Sequence, residues 1–279
     1  MAALVEDPAQ ASSASASSSP HSGGAEAAGV AEGEFPLPWF MKGKMEPEEL
    51  RARLGVLQAK YPDVAPGILW RFLLGRKGVV EKAQAMFEEH LVWKAAHIPV
   101  DFRSCRDELE KKKLYFNGED VDGNPVLYFR SSKQDPQTRD IDASMRMVVY
   151  TLESKFNSLP ETGQITVFID REGATKKNFD PELLKLIASS LGNNYPERMA
   201  RTVVYPTGLV FRGIWMIAKM FLDPVTAKKV HLCGSIEDVT QHIAPANLPR
   251  RMGGTLPDEP AYYPWQGEDQ SGDAGQAEA

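Results

Sequence analysis

Residues 209–222 constrain this chain more than any other stretch. Leu209, Val210, Phe211, Ile214, Trp215, Met216, Ile217, Met220, Phe221 and Leu222 crowd together there, and only Arg212 and Lys219 are charged. The spacing predicts a helix that is apolar on nearly every face. A surface helix keeps a broad polar face, which this one lacks. Crossing a bilayer takes ~20 consecutive apolar residues, and the run is too short and too charged for that. Three placements remain: deep core, contact with a membrane, or the wall of an apolar cavity.

Charge is distributed unevenly around this segment. The first 41 residues hold five acids and no Lys or Arg, and residues 258–279 hold six acids and again no base. All 32 Lys and Arg therefore sit in the middle, against 27 acids, a net charge of +5 beneath the overall −6. A mildly basic body with acidic ends suits an anionic membrane surface or a phosphate-bearing ligand. Nucleic acid is not expected: the longest basic run is Lys111-Lys112-Lys113, and no zinc-finger or RNA-binding signature occurs.

Residues 1–41 read as a disordered acidic Ala/Ser-rich tail, of which residues 1–34 are too poor in bulky apolar side chains to offset the entropy of ordering. They contain no apolar secretory core. A plastid transit peptide is disfavoured by the acids and the missing Arg, so a cytoplasmic, peripherally membrane-associated protein is expected. Residues 266–279 read as a second acidic tail. Cys105 and Cys233 are expected to be reduced thiols.

Between the tails, helices are expected first, at Pro47–Lys60, 67–75 and 79–97, the last with Ala83, Met86, Phe87, Leu91 and Ile98 near one side. Apolar runs on either side of Asp122-Gly123-Asn124 predict a hairpin. Ile165–Asp170 has the composition of a strand buried on both faces. Helices at 144–156 and 181–191 and strands at 202–205 and 230–232 complete an alternation that implies an α/β fold with partly parallel strands.

Motifs for common chemistries are missing: there is no Walker loop, no Gly-x-Gly-x-x-Gly, no Gly-x-Ser-x-Gly and no His-Glu-x-x-His. His90 and His97 lie about two turns apart, roughly 10 Å, too far for one zinc. Neither an enzyme nor a metal protein is expected. Four polar spots stand beside apolar runs. Arg76-Lys77 close a helix, where cations also answer the helix dipole. Glu197-Arg198 read equally as a solvated turn. Asp223-Pro224 begin a helix that ends in Lys228-Lys229, and Arg212 with Lys219 have the reach to snorkel toward water or headgroups.

The order of these parts resembles the CRAL-TRIO family, with the closest likeness to fungal phosphatidylinositol/phosphatidylcholine transfer proteins. The likeness rests on LWRFLLGRKGVVEKAQAMFEEHLVWKA, DVDGNPVLYF, YPERM, FLDPVT and the closing LP-x-x-x-GG-T, and runs from about residue 48 to 255. It implies a helical N-terminal subdomain at 46–98. A lipid-binding α/β domain with a mixed, partly parallel sheet would follow at 110–256, and a mobile gate helix at 208–221. It also implies headgroup contacts from Arg76, Lys77, Glu197, Thr226 and Lys229. Gate and acyl-chain contacts would come from Phe211, Ile214, Trp215, Ile217, Phe221 and Leu222. Position 191, six residues before the YPERM acid, carries Leu where the fungal proteins use Ser for choline, so the second ligand stays open.

The expected ligand is therefore one phospholipid, phosphatidylinositol first, with no other cofactor and a transient membrane surface as partner. Two alternatives remain: a carrier of a tocopherol-, retinoid- or sterol-like molecule, and a lipid-sensing adaptor for a lipid kinase or small GTPase. Each chain methylene is worth about 0.8 kcal/mol, so roughly 30 of them cannot cross water unaided. Such a protein must collect its lipid while docked. Replacing Phe211 and Trp215 by Asp is expected to abolish transfer and spare the fold.

Overall fold

The structure, a computed structural model, describes Phe35 and residues 37–267. The stretches expected to be tails lie outside these residues up to Glu34 and beyond Gly267. Three helices come first: α1 (Pro47–Lys60), α2 (Pro66–Gly75) and α3 (Val80–His97). Then follow α4 (Arg106–Glu110), β1 (Leu114–Glu119), β2 (Pro125–Arg130), α5 (Ile141–Phe156), β3 (Ile165–Asp170), α6 (Pro181–Asn194) and β4 (Met199–Tyr205). The chain closes with α7 (Leu209–Ala218), α8 (Pro224–Lys228), β5 (Val230–Leu232), α9 (Ile236–Thr240) and short 3-10 turns.

Local chemistry sets the helix starts. Pro opens α1, α2, α6 and α8, where its fixed φ suits the first turn and its missing N–H costs nothing. Asp140 and Asp180 accept from Ala143 N (2.9 Å) and Leu183 N (3.0 Å), satisfying donors that have no partner within α5 and α6. In the helical front section Leu50, Leu54 and Leu57 of α1 face Leu69, Phe72 and Leu73 of α2, all almost fully buried. The Phe72 and Phe87 rings meet edge-on at 5.2 Å.

The five strands lie in the order β1-β2-β3-β4-β5. The hairpin β1–β2 is antiparallel, and β2, β3, β4 and β5 are mutually parallel. Consecutive parallel strands advance in one direction, so right-handed crossovers put α5, α6 and α7 on the same face of the sheet. The contact of α5 with α6, and of α6 with the turn after α7, agrees with this. Strand alternation separates the two faces. Thr166, Phe168 and Asp170 of β3 are buried, and Phe168 packs on Tyr128 with ring centroids 4.9 Å apart. Val167 and Ile169, on the opposite face, are only half-covered.

Two expectations need correction, and one stretch packs where none was expected. The first tail does not run to residue 41: Phe40 and Met41 are buried, because FPLPWFM carries enough apolar surface to pack. Leu91 does not join the packed face of α3. That helix buries Ala83, Met86 and Phe87 and carries its contact on through His90 and Trp93, against Asn194 and Tyr195, leaving Leu91 and Val92 on the exposed side. Past residue 256, where no element was expected, the chain stays packed. Tyr263 and Trp265 are buried, and Glu259 pairs with Lys133 at 2.9 Å and Arg130 at 3.2 Å.

Candidate functional site

Residues from three separated segments meet at one end of β4 and β5. Thr202 N donates to Lys229 O (2.9 Å), which sets the ends of these strands side by side. Glu197, two residues before β4, and Lys229, one residue before β5, are thereby neighbours. Lys229 Nζ donates to Glu197 Oε2 at 3.0 Å and to the Met199 carbonyl at 2.9 Å. Both side chains are mostly covered, at 11% and 16% exposure, so the pair is poorly screened by solvent. An ammonium has three donors, and two are taken.

Glu197 stands in the left-handed region (φ 57°), a conformation that costs an ordinary residue about 1–2 kcal/mol. Its loop is held from all sides. Arg71 Nη1 donates to Pro196 O (3.3 Å) and Gln164 Nε2 to Glu197 O (2.9 Å). Arg198 Nη1 donates to Pro160 O and Gly163 O (both 2.7 Å). Burial pushes the Arg71 guanidinium down to about 9, with the Arg198 charge adding to the effect. Arg71 and Gln164 were not singled out in the sequence; the one available signal was an arginine inside the apolar run LWRFLL.

Arg76 reaches the same region from α2. A Cβ on Gly75 would lie 2.9 Å from Pro196 Cβ, so glycine lets the end of α2 abut the Glu197 loop. Arg76 Nη2 donates to Asn193 Oδ1 at 3.3 Å. Lys77 is exposed at φ 53°. Among the described residues, no hydrogen bond or ion pair ties its side chain to the other four. Thr226 sits in α8, one turn before Lys229. Its hydroxyl donates to Asp223 Oδ2, and its amide donates to Asp223 Oδ1 (3.0 Å). The Thr226 oxygen is left as an acceptor. Burial raises the Asp223 carboxyl, but the Thr226 hydroxyl and the amides of Thr226 and Val225 outweigh it and hold it below the ordinary range.

Beside this cluster, α7 presents apolar side chains to water. Leu209, Met216 and Met220 are 83%, 73% and 79% exposed, and Ile217 is also exposed. Spacings of seven and four put the first three on one stripe. Ile214, Trp215, Phe221 and Leu222 are half-buried, and Phe211 is buried. The expected gate surface is thus divided. Its outer stripe is Leu209, Met216 and Met220, and Phe211 is an internal anchor. Phe211→Asp would bury a carboxylate, so it cannot spare the fold. The half-covered Val167 and Ile169 lie on the sheet face that carries α6 and α7, and α6 adds the half-buried Leu184, Ile187 and Leu191. Concavities of about 430 Å3 beside Gly118 and about 410 Å3 beside Ser132 are lined mainly by polar groups and include none of these residues.

No helix among the described residues is long and apolar enough to cross a membrane. Residues 109–254 match the CRAL/TRIO domain. The chain is 30% identical over 207 residues to the CRAL-TRIO domain-containing protein C3H8.02 of Schizosaccharomyces pombe, covering 70% of this chain and 47% of that one. It is 28% identical over 212 residues to the phosphatidylinositol/phosphatidylcholine transfer protein SFH12 of Arabidopsis thaliana, covering 67% and 39%. The chain thus spans less than half the length of either relative. Among solved structures, the crystal structure of Sfh5 shares the fold with a TM-score of 0.54 at 16% identity, covering 71% of this chain and 69% of that one.

Proposed function

Because the chain belongs to the CRAL/TRIO domain family, we propose that it binds one phospholipid, phosphatidylinositol first, and transfers or presents it between membranes. The observation that carries this reading is the Lys229–Glu197 pair with Arg76 and Thr226 around it, adjoining a half-covered apolar face under α7. Lys229 and Arg76 supply donors to a phosphodiester, through charge-assisted hydrogen bonds that are stronger than neutral ones. Glu197, an acceptor only, suits the hydroxyls of a polyol. A phosphate entering the cluster competes with Glu197 for the Lys229 ammonium and frees that carboxylate for ring hydroxyls. The apolar tails take the face lined by Val167, Ile169, Ile187 and Trp215.

The outer stripe of α7 gives the route. Leu209, Met216 and Met220 lose contact with water when the protein docks on a bilayer, so tails pass from one apolar medium to another without crossing solvent. The protein on this reading works from the aqueous side as a carrier and not as an enzyme.

The test is transfer of labelled phosphatidylinositol and phosphatidylcholine between vesicles, with mass spectrometry of the lipid retained by the protein. Lys229→Ala combined with Arg76→Ala is expected to slow phosphatidylinositol transfer about tenfold or more, the worth of one charge-assisted contact. Phosphatidylcholine transfer should change by no more than about twofold. Equal loss for both lipids would assign these cations to membrane docking. Recovery of no phospholipid would end the reading.

A further inference from the structure

We propose that Arg171 is the pivot of α7, a positioning residue that pins the first turn of the helix while its other end, held by packing alone, swings. The inference rests on α7 being the moving gate of the lipid site proposed above. Arg171 follows β3, between Asp170 and Glu172. Alternation turns both acids toward Arg251, at 2.8 and 3.6 Å, and turns Arg171 the other way. There it makes three ties to the chain leading into α7. Its backbone N donates to Tyr205 O (2.7 Å), and its Nη1 donates to Pro206 O (2.7 Å). Its guanidinium carbon lies 4.1 Å from the centre of the Phe211 ring.

Helix electrostatics do not account for this placement, since a cation beside a first turn opposes the dipole. The ring face and the carbonyl do: both present negative potential to a guanidinium partly withdrawn from water. Phe211 is also the one large side chain of α7 that is buried among those described. At the opposite end, Met216, Ile217 and Met220 are exposed, and Phe221 and Leu222 are half-covered. The last turn is held only by packing, through the buried Ala218 and the contact of the following turn with α6, whereas the first turn is held by a hydrogen bond and a cation–ring contact, so the helix opens by rotation about Phe211. Residues 215–222 then travel farthest, and they are the ones that uncover the apolar face.

Hydrogen–deuterium exchange on the full chain tests this. Arg171→Ala is expected to speed exchange across 207–218 about tenfold, the loss of one such contact, and to leave the amides of β3 and β4 unchanged. Phe211→Leu, which keeps apolar volume and removes the ring, should produce the same local change. The double variant should add little to Arg171→Ala alone, which already loses the ring contact. Arg171→Lys should restore part of the protection, because an ammonium keeps the charge without the planar face. In the vesicle assay Arg171→Ala should alter the transfer rate while the lipid held per protein at saturation stays the same. Unchanged exchange at 207–212, fully additive effects, or an increase spread evenly over the sheet would each overturn the pivot. A wild-type protein that carries no phospholipid would sink the preceding reading alone, and the exchange data would still decide this one.

Discussion

Lys77 and Glu197 occupy the same strained backbone region, yet only one has a visible reason to be there. Glu197 is held by Lys229 and by the hydrogen bonds around its loop, and its conformation aims the carboxylate at the ammonium. Lys77, at φ 53°, has no such tie. Glycine accepts that conformation without a Cβ clash. Lys77→Gly is therefore expected to raise stability by about 0.5–1 kcal/mol in thermal unfolding. A simultaneous loss of phosphatidylinositol transfer would show that the ammonium serves the ligand. Histidines set the pH response. Burial lowers His90, His231 and His242 from their ordinary value. His242 is lowered further by His231, whose ring centroid is 4.2 Å away, and by Arg201, against the opposing pull of Asp120 and Asp238. The unfolded chain then binds protons more readily than the folded one just below pH ~6.5. Stability is expected to be full above that pH and to fall as pH drops toward the folded values. His242→Gln should flatten the slope between pH 7 and 5, and an unchanged slope would acquit the pair.

At the scale of elements, α7 has to keep two surfaces apart. Its buried Phe211 lies against Arg171, just after β3, and its outer stripe meets water. Replacing Met216 and Met220 by Asp is expected to cut sedimentation with vesicles about tenfold or more, since each substitution sets a charge where a buried thioether would lie. The melting temperature should move little, because both side chains are more than 70% exposed. A large fall in melting temperature would show instead that the stripe packs inside the protein. The junction of α2 with the Glu197 loop depends on close approach at Gly75. Gly75→Val would thrust a branched side chain into Pro196, at an expected cost of about 1–3 kcal/mol in denaturant unfolding. The same substitution should weaken phosphatidylinositol selectivity, since Arg76 moves with the end of α2.

For the molecule as a whole, the last described residues complete the core. Tyr263 lies edge-on to Tyr115 with centroids 6.1 Å apart, Arg251 reaches Asp170 at 2.8 Å, and Glu259 closes on Arg130 and Lys133. Ending the chain at residue 257 removes two buried aromatic side chains and uncovers Tyr115. A loss of about 3 kcal/mol or more is expected, read as a lower urea midpoint. The short basic body between acidic ends, visible in composition, did not reveal this closure. Tyr262-Tyr263-Pro264-Trp265 sits among acids and turn formers, where no local pattern predicts an element.

The local elements were legible because short-range rules write them. Pro at the first turn, Asp at the cap, the Asp-Gly turn between β1 and β2, and the apolar run of β3 each act within a few residues. That Arg76, Glu197, Thr226 and Lys229 are candidates for one site came only from family likeness, since no local pattern joins Arg76 to residues more than 100 positions away. Tertiary structure alone decided that Lys229 pairs with Glu197 and that Arg71 and Gln164 hold its loop. It alone set Phe211 inward on Arg171 while Leu209, Met216 and Met220 face out. A helix apolar on every side carries no periodicity from which to read its inner face. The residue just after β3 marks that side: the Arg171 guanidinium, bonded to the Pro206 carbonyl, lies over the Phe211 ring.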